Sequence, residues 1–309
     1  MVAPLRRPRK PYRERTVNSG GGMPEPVIRS LEVHGADGPL KARLYSLDAS
    51  KAKKDSLLVF FHSGGFVGGD LDEADTFLRH LSSALSGQHL VLASCYTLAT
   101  TKPFPAAVED AHAVLAWARK NKAKLGWNGK RLVVSGIEAG ANLAAVAALM
   151  ARDRGGPELD GQILIMPMLD PGMTTCSMRD VKLDEGMAEV ADTCAASYRG
   201  YLPNGTDRAH PYASPLRSSR LRSLPQALIL SAEDDPLRDE AEQYAAKLSA
   251  AGVSTTLRRL SPARLEEPDA RNECACRHLV LDEIVRFLSA FDNAAPTGVV
   301  PMDSPPALI

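Results

Sequence analysis

The stretch VVSGIEAGANLA, residues 133–144, changes character at its centre. A β-branched run leads into Gly136, a second glycine follows at Gly140, and Ala-rich sequence continues from there. This spacing resembles Gly-x-Ser-x-Gly, in which a tight turn between a strand and a helix exposes the side chain of the third residue. The third residue here is Glu138, so the stretch predicts the turn without its usual serine nucleophile.

The rest of the chain alternates in the same way. Short apolar runs predict strands at 27–33, 40–47, 57–61, 90–95, 132–135, 162–166, 227–231 and 255–260. Helical patterns occupy 73–86, 106–122, 142–152, 237–251 and 278–291. Short apolar strands that alternate with helices are typical of βα repeats covered on both faces. We therefore expect an α/β fold with a central, mostly parallel eight-stranded sheet flanked by helices.

The pattern also predicts the domain boundaries. Residues 1–25 are rich in proline, arginine and glycine and are expected to form a flexible basic arm. Residues 26–292 form the α/β domain, in which 170–210 breaks the alternation and is expected to be a cap inserted over the sheet. Residues 293–309 contain many prolines and little charge, so a disordered tail is expected.

Composition excludes several functional classes. Lys and Arg together number 37, as do Asp and Glu, so no overall field favours nucleic acid. No apolar run approaches the roughly 20 residues that span a bilayer, and none follows the basic N-terminus as in a secretory signal. The five cysteines are odd in number and scattered. Cys274 and Cys276 lack a second cysteine or histidine pair at metal-ligand spacing, so we expect no metal. We also expect no disulfide framework and no cofactor, and a cytoplasmic protein.

Several further motifs together resemble one family, the hormone-sensitive-lipase-like carboxylesterases and lipases of the α/β-hydrolase fold. The resemblance covers roughly residues 28–290. The motifs that carry it are His62-Ser63-Gly64-Gly65-Phe66, Tyr96-Thr97-Leu98-Ala99 with Pro103-Phe104-Pro105, Pro211-Tyr212-Ala213-Ser214-Pro215, and Asp235-Pro236-Leu237-Arg238-Asp239-Glu240. The first motif departs from the family's His-Gly-Gly-Gly-Phe at Ser63 alone.

In this family a serine attacks the ester carbonyl, a histidine takes its proton, and an aspartate orients the histidine. The resemblance assigns Glu138 to the nucleophile position and Asp235 to the acid position. Aligning Gly252 and Val253 with the family's Gly-Val places the lost histidine at Leu265. Two of the three groups are therefore replaced by residues that cannot perform their chemistry.

Three other residues carry groups that could replace the missing serine or histidine. His278 lies thirteen residues after Leu265, at the start of an amphipathic pattern, where a surface position is the simpler interpretation. Ser63 and Ser135 carry hydroxyl groups, but the first replaces a loop glycine and the second precedes the turn. None of the three matches a catalytic position of the family.

The resemblance implies that the backbone N–H groups of Gly64, Gly65 and Ala139 form an oxyanion hole. Such donors belong to the backbone and survive the loss of the triad. We hypothesise that ionised Glu138 turns its own carboxylate onto these donors and fills the hole. The alternative, in which Glu138 points into solvent and does nothing, stays open.

The function expected from the sequence is that of an inactive lipase- or esterase-like protein. It would bind a small apolar ligand, an ester or a partner protein, with Phe66, Met168 and Met187 lining an apolar pocket. The alternatives are a hydrolase of carboxylic esters with a nonstandard apparatus, such as Glu138 acting as general base, and a purely structural role. A homodimer formed through an edge strand is left open by the sequence.

Overall fold

The computed structural model describes residues 24–47, 52–180, 185–265 and 270–293, with the side chains of 185–187 and 292–293 left out. The predicted arm at 1–25 lies outside these ranges except for its last two residues, and the predicted tail at 293–309 except for its first. Neither prediction is tested. Within the described ranges, no helix combines the length and apolar character needed to cross a bilayer.

The sheet contains eight strands in the order β1-β2-β4-β3-β5-β6-β7-β8. Their bounds are β1 Val27–His34, β2 Pro39–Ser46, β3 Lys54–Phe61, β4 His89–Ser94, β5 Trp127–Ile137, β6 Gly161–Ile165, β7 Gln226–Ala232 and β8 Thr255–Leu260. β1 pairs with β2 and β2 with β4 in antiparallel fashion, and every other pairing is parallel. The predicted eight-stranded, mostly parallel sheet is confirmed.

Helices cover both faces of this sheet. They are α1 Asp75–Ala84, α2 Ala106–Lys120, α3 Lys122–Leu125, α4 Ala139–Asp153, α5 Cys176–Asp180, α6 Glu185–Tyr201, α7 Arg238–Ala250, α8 Ala270–Ala275 and α9 His278–Asn293. One apolar cluster joins the sheet to α2, α4, α6 and α7, and a second joins it to α1, α8 and α9. The strand β3 contributes to both, since Leu57 and Val59 belong to the first cluster and Leu58 and Phe60 to the second. Burial on both faces explains its continuous apolar sequence.

The turn between β5 and α4, residues 136–140, is here called the elbow. It is tighter than its sequence alone indicates. The strand runs eleven residues instead of the predicted 132–135, and the helix begins at Ala139 rather than at 142. A Cβ atom on Gly136 would lie 2.2 Å from the backbone of Gly140, and one on Gly140 would lie 2.0 Å from the carbonyl oxygen of Phe61. Both glycines are therefore required by close approach of backbone to backbone.

The segment predicted to form a cap contains α5 and α6, followed by a short 3₁₀ helix at Gly205–Ala209. The first residue of this segment is hydrogen-bonded to α7, since the backbone N–H of Asp170 donates to Oε2 of Glu240 at 2.6 Å. Glu240 is almost fully buried. Burial raises the pKa of its carboxyl group well above the usual value, and the nearby charge of Asp170 acts in the same direction.

We expect Gly140→Ala to lower the free energy of unfolding by about 1–3 kcal/mol or more, because the added methyl group overlaps a backbone carbonyl of β3. The matched control is Gly38→Ala in the β1–β2 turn, where a Cβ atom meets nothing within 4 Å. Urea denaturation of both variants measures the difference. Equal stabilities would show that the elbow tolerates a side chain at Gly140.

We also expect the stability difference between Glu240→Gln and the wild type to grow with pH. Below the usual pKa of glutamate, both folded and unfolded states carry the proton. As pH rises, the unfolded state ionises first, so the wild type loses stability with a slope of up to about 1.4 kcal/mol per pH unit while the glutamine variant does not. Denaturation midpoints measured between pH 4 and 9, a range of roughly five units, test this.

The control for this experiment is Glu242→Gln on the same helix. Arg259 lowers the pKa of Glu242, so wild-type stability at that position is lost as pH falls, which is the opposite sign. Its effect is expected to be small because the pair is partly exposed. Parallel pH profiles for the two variants would contradict the expectation for Glu240.

Candidate functional site

The elbow holds Glu138 in an uncommon backbone conformation. Its φ is 57° and its ψ is −112°, a region that L residues enter only when their surroundings impose it. Its N–H donates to Ile165 in β6 at 2.9 Å, and its carbonyl oxygen accepts from Asn142 at 3.1 Å and from Met168 at 3.2 Å. These bonds from three directions fix the backbone, so the Glu138 side chain starts from a defined point at the carboxyl end of the sheet.

The loop after β3 lies beside this turn. Gly64 and Gly65 have φ angles of 118° and 60°. A Cβ atom would lie 2.3 Å from the Gly68 carbonyl oxygen at the first position and 2.2 Å from Oγ of Ser197 at the second. Glycine is required at both positions because the loop passes close to its own backbone and to α6. His62, at the start of the loop, is buried and stacked on Tyr96, and burial lowers its pKa.

The carboxylate of Glu138 accepts two hydrogen bonds from this loop. The N–H of Gly64 donates to Oε2 at 2.8 Å, and the N–H of Gly65 donates to the same oxygen at 3.0 Å. The N–H of Ala139 makes no such bond within the part of the chain that the structure describes. Of the two interpretations left open by the sequence, the structure therefore has the one in which the carboxylate turns back onto the loop.

Arg271, the second residue of α8, lies between the two acidic residues of the site. Its Nη1 donates to Oε1 of Glu138 at 3.4 Å, and its Nη2 donates to Oδ1 of Asp235 at 3.1 Å. The exposed fractions of the three side chains are 15% for Arg271, 12% for Glu138 and 1% for Asp235. A largely buried guanidinium thus bridges the nucleophile position and the acid position.

Asp235 is held by its own turn as well as by Arg271. The N–H of Leu237 donates to Oδ1 at 2.9 Å, while Oδ2 has no hydrogen-bond partner among the described residues. Burial raises the pKa of Asp235, and the attraction of Arg271 opposes this shift without cancelling it. Burial acts to lower the pKa of Arg271, but its attraction to Asp235 and Glu138 is stronger and raises it. The arginine therefore stays charged.

Leu265 is the residue that the sequence alignment assigns to the histidine position. This leucine is buried in the cluster formed with α8 and α9. His278 is exposed at the first turn of α9. All seven histidines lie within the described ranges, and none hydrogen-bonds or ion-pairs with Asp235. An arginine, rather than an imidazole, accompanies the acid.

The two candidate surrogate serines are both buried. Oγ of Ser63 lies 3.4 Å from Nδ2 of Asn272. Oγ of Ser135 donates to the carbonyl oxygen of Val59 at 3.4 Å, across the pairing of β5 with β3. Neither hydroxyl has a histidine as hydrogen-bond partner, so no base activates it as a nucleophile.

A cavity of about 190 Å³ adjoins Glu138. The described residues that line it are Ser63, Gly64, Glu73, Glu138, Leu265, Ala270, Arg271 and Asn272. Two of the residues predicted to line an apolar pocket, Phe66 and Met168, are not among the described lining residues. Phe66 is buried face to face with Tyr201 of α6, with 3.8 Å between ring centroids, and Met168 is fully buried in the same apolar cluster. The side chain of Met187 lies outside the described part.

Arg271 is the functional residue that the sequence analysis missed. It lies six residues after Leu265 and matches no position of the family pattern. A signal did exist, because a buried aspartate and a glutamate at the elbow, deprived of their histidine, require a cation nearby. The sequence does not show which of the 37 lysines and arginines supplies it.

We expect Arg271→Met to lower the free energy of unfolding by about 3–5 kcal/mol, because it leaves two carboxylates buried without a cation. Adding Asp235→Asn to that variant should recover part of the loss. The control is Arg286→Met, which removes an arginine that is 62% exposed and should cost at most about 1 kcal/mol. Equal losses for Arg271→Met and Arg286→Met, measured by urea denaturation, would contradict the buried bridge.

Comparison with known proteins agrees with this architecture. A family model described as the alpha/beta hydrolase fold matches residues 58–263. Esterase LipI of Mycobacterium tuberculosis is 34% identical over 236 residues, covering 74% of this chain and 71% of its own. An arylesterase of Saccharolobus solfataricus is 32% identical over 227 residues, covering 74% and 72%. The structure of a hyperthermophilic esterase from Pyrobaculum calidifontis superposes with a TM-score of 0.76 at 33% identity, covering 87% and 88%. The chain therefore belongs to the hormone-sensitive-lipase-like family of the α/β-hydrolase fold.

Proposed function

We propose that this chain is a catalytically silent member of an esterase family and acts as a binding protein for a small molecule. The observation that carries the proposal is the position of the Glu138 carboxylate. It accepts the N–H groups of Gly64 and Gly65, which a substrate oxyanion would need in the transition state. A site whose donors are already bonded to a negative charge offers little stabilisation to a second one.

The proton chemistry of ester hydrolysis is missing as well. Attack by a hydroxyl group requires a base that accepts its proton and later returns it to the leaving alcohol. Arg271 contacts both Glu138 and Asp235, but a guanidinium has donors only and does not give up its proton in proteins. Leu265 cannot exchange a proton at all. The group next to Asp235 balances its charge and does not relay a proton.

The alternative, a hydrolase that uses Glu138 as nucleophile or general base, is less well supported. The N–H groups of Gly64 and Gly65 both donate to Oε2 of Glu138 and Arg271 donates to Oε1, so each oxygen that would attack a substrate or accept a proton already has a donor. A carboxylate attack would also leave an acyl-enzyme anhydride with no histidine to direct water onto it. The relatives whose names describe them as esterases support ester-sized ligands for this chain, in a site that binds rather than cleaves.

We expect the wild type to hydrolyse p-nitrophenyl acetate and butyrate no faster than the Glu138→Ala variant. Loss of triad groups costs on the order of 10⁴ to 10⁶ in turnover in enzymes of this mechanism. The complementary variant combines Glu138→Ser, Leu265→His and Arg271→Ala, which restores the serine and the histidine of the triad and removes the arginine from the histidine's surroundings. A gain in kcat/KM of about 10² or more is expected for it, if the remaining donors are intact.

His278→Ala serves as the matched control, because it removes an exposed histidine that the proposal gives no role. Release of p-nitrophenolate is followed by absorbance, with protein heated to inactivation as the background. Turnover in the wild type that disappears in Glu138→Ala but persists in His278→Ala would contradict the silent interpretation. Turnover that disappears in His278→Ala instead would assign that histidine to the reaction and would contradict it equally.

A further inference from the structure

Three hydrogen-bond donors converge on the Glu138 carboxylate. They are the N–H groups of Gly64 and Gly65 on one oxygen and the guanidinium of Arg271 on the other. None of the three groups offers an acceptor in these contacts, and one of them carries a full positive charge. Such a set is selective for an anion with two oxygens, because charge-assisted bonds are roughly twice as strong as neutral ones.

Arg271 has donor capacity that the described residues do not use. Its Nη1 contact with Glu138 is long, at 3.4 Å, whereas its contact with Asp235 is 3.1 Å. Its Nε is buried and has no hydrogen-bond partner among the described residues. Asp235, not Glu138, is thus the firmer partner, and the guanidinium keeps that partner if the Glu138 carboxylate moves away. Removing Glu138 from the donors does not leave the arginine unpaired.

The adjoining cavity provides space for a ligand. Leu265 and Ala270 contribute apolar groups to its wall, and Ser63 and Asn272 contribute polar ones. Oδ1 of Asn272 is buried without a hydrogen-bond partner in the described part of the chain. The cavity of about 190 Å³ has room for a short aliphatic acid such as butyrate.

We propose that the site is a receptor for a small monocarboxylate, whose carboxylate replaces that of Glu138 on Gly64, Gly65 and Arg271. The inference rests on the proposed function and names its ligand class. Glu138 is then a tethered occupant that competes with the ligand for the same donors. The apparent affinity of the wild type equals the intrinsic affinity of the open site multiplied by the fraction of molecules in which the glutamate has left the donors.

The test uses the full chain and two probes of matched shape, butyrate and butyramide. Each is titrated by calorimetry into the wild type, Glu138→Ala and Glu273→Ala. The last variant removes an exposed carboxylate of α8 that is not among the described residues lining the cavity, so it controls for a general change of charge. If the competent state of the wild type is populated at about 10% or less, butyrate should bind Glu138→Ala at least about tenfold more tightly than the wild type. Glu273→Ala should bind it within about threefold of the wild type, since Glu138 still occupies the donors of Gly64 and Gly65 in that variant.

Amide resonances of Gly64 and Gly65 provide a readout in the unaltered protein. Butyrate should shift both in the wild type, while butyramide should shift neither. Absence of a butyrate-dependent shift in the wild type would overturn the proposal, because the glutamate would then be a permanent lock. Equal gains for Glu138→Ala and Glu273→Ala, or equal binding of the neutral amide, would overturn it as well.

The ester assay separates failure of this inference from failure of the proposed function. Hydrolysis of p-nitrophenyl butyrate by the wild type contradicts the silent interpretation whatever the binding results are. Absence of both hydrolysis and butyrate binding contradicts the carboxylate receptor alone. If Glu138→Ala fails to fold, as judged by its circular dichroism and melting curve, the amide shifts in the wild type decide the matter.

Discussion

A guanidinium between two carboxylates organises this site. Arg271 reaches Asp235 on one side and Glu138 on the other, in surroundings where all three side chains are largely buried. Burying a charge without a partner costs several kcal/mol, about the size of the whole stability margin of many domains. Arg271 therefore allows Asp235 and Glu138 to be buried close together, because its positive charge lies between them. Its presence gives the buried Asp235 a charged partner where none of the seven histidines contacts it.

The scaffold around this bridge is that of a hydrolase, because its features are properties of the backbone. The elbow depends on Gly136 and Gly140, which let α4 pass against β3, and the loop depends on Gly64 and Gly65 at positive φ. Replacing the nucleophile and the histidine changes none of these requirements. Strain at Glu138, with φ of 57°, is maintained by hydrogen bonds to β6 and α4. The backbone donors of the loop then bind a side chain of the protein itself.

The pattern of the sequence predicted the eight strands, the mostly parallel sheet and the position of the elbow, because buried parallel strands leave a strong apolar signal. Boundaries were less accurate. β5 begins at Trp127, since its polar first half is recruited by pairing with Lys54 of β3 rather than by its own hydrophobicity. The expected pocket residue Phe66 stacks on Tyr201 instead, a contact between a loop and a helix about 135 residues later that no local pattern encodes.

The sequence by itself determined that the elbow carries a carboxylate, because this is a fact of residue identity at a motif position, and by alignment it assigns Leu265 to the histidine position. It also predicted that the loop donors survive, because glycines specify backbone geometry. The tertiary structure alone decided where the Glu138 carboxylate points and which cation answers it. Both depend on distances between segments more than 70 residues apart, from the loop to the elbow and from the elbow to α8. Electrostatic attraction and desolvation act through space, so the sequence requires a partner for these acids but only the fold selects Arg271.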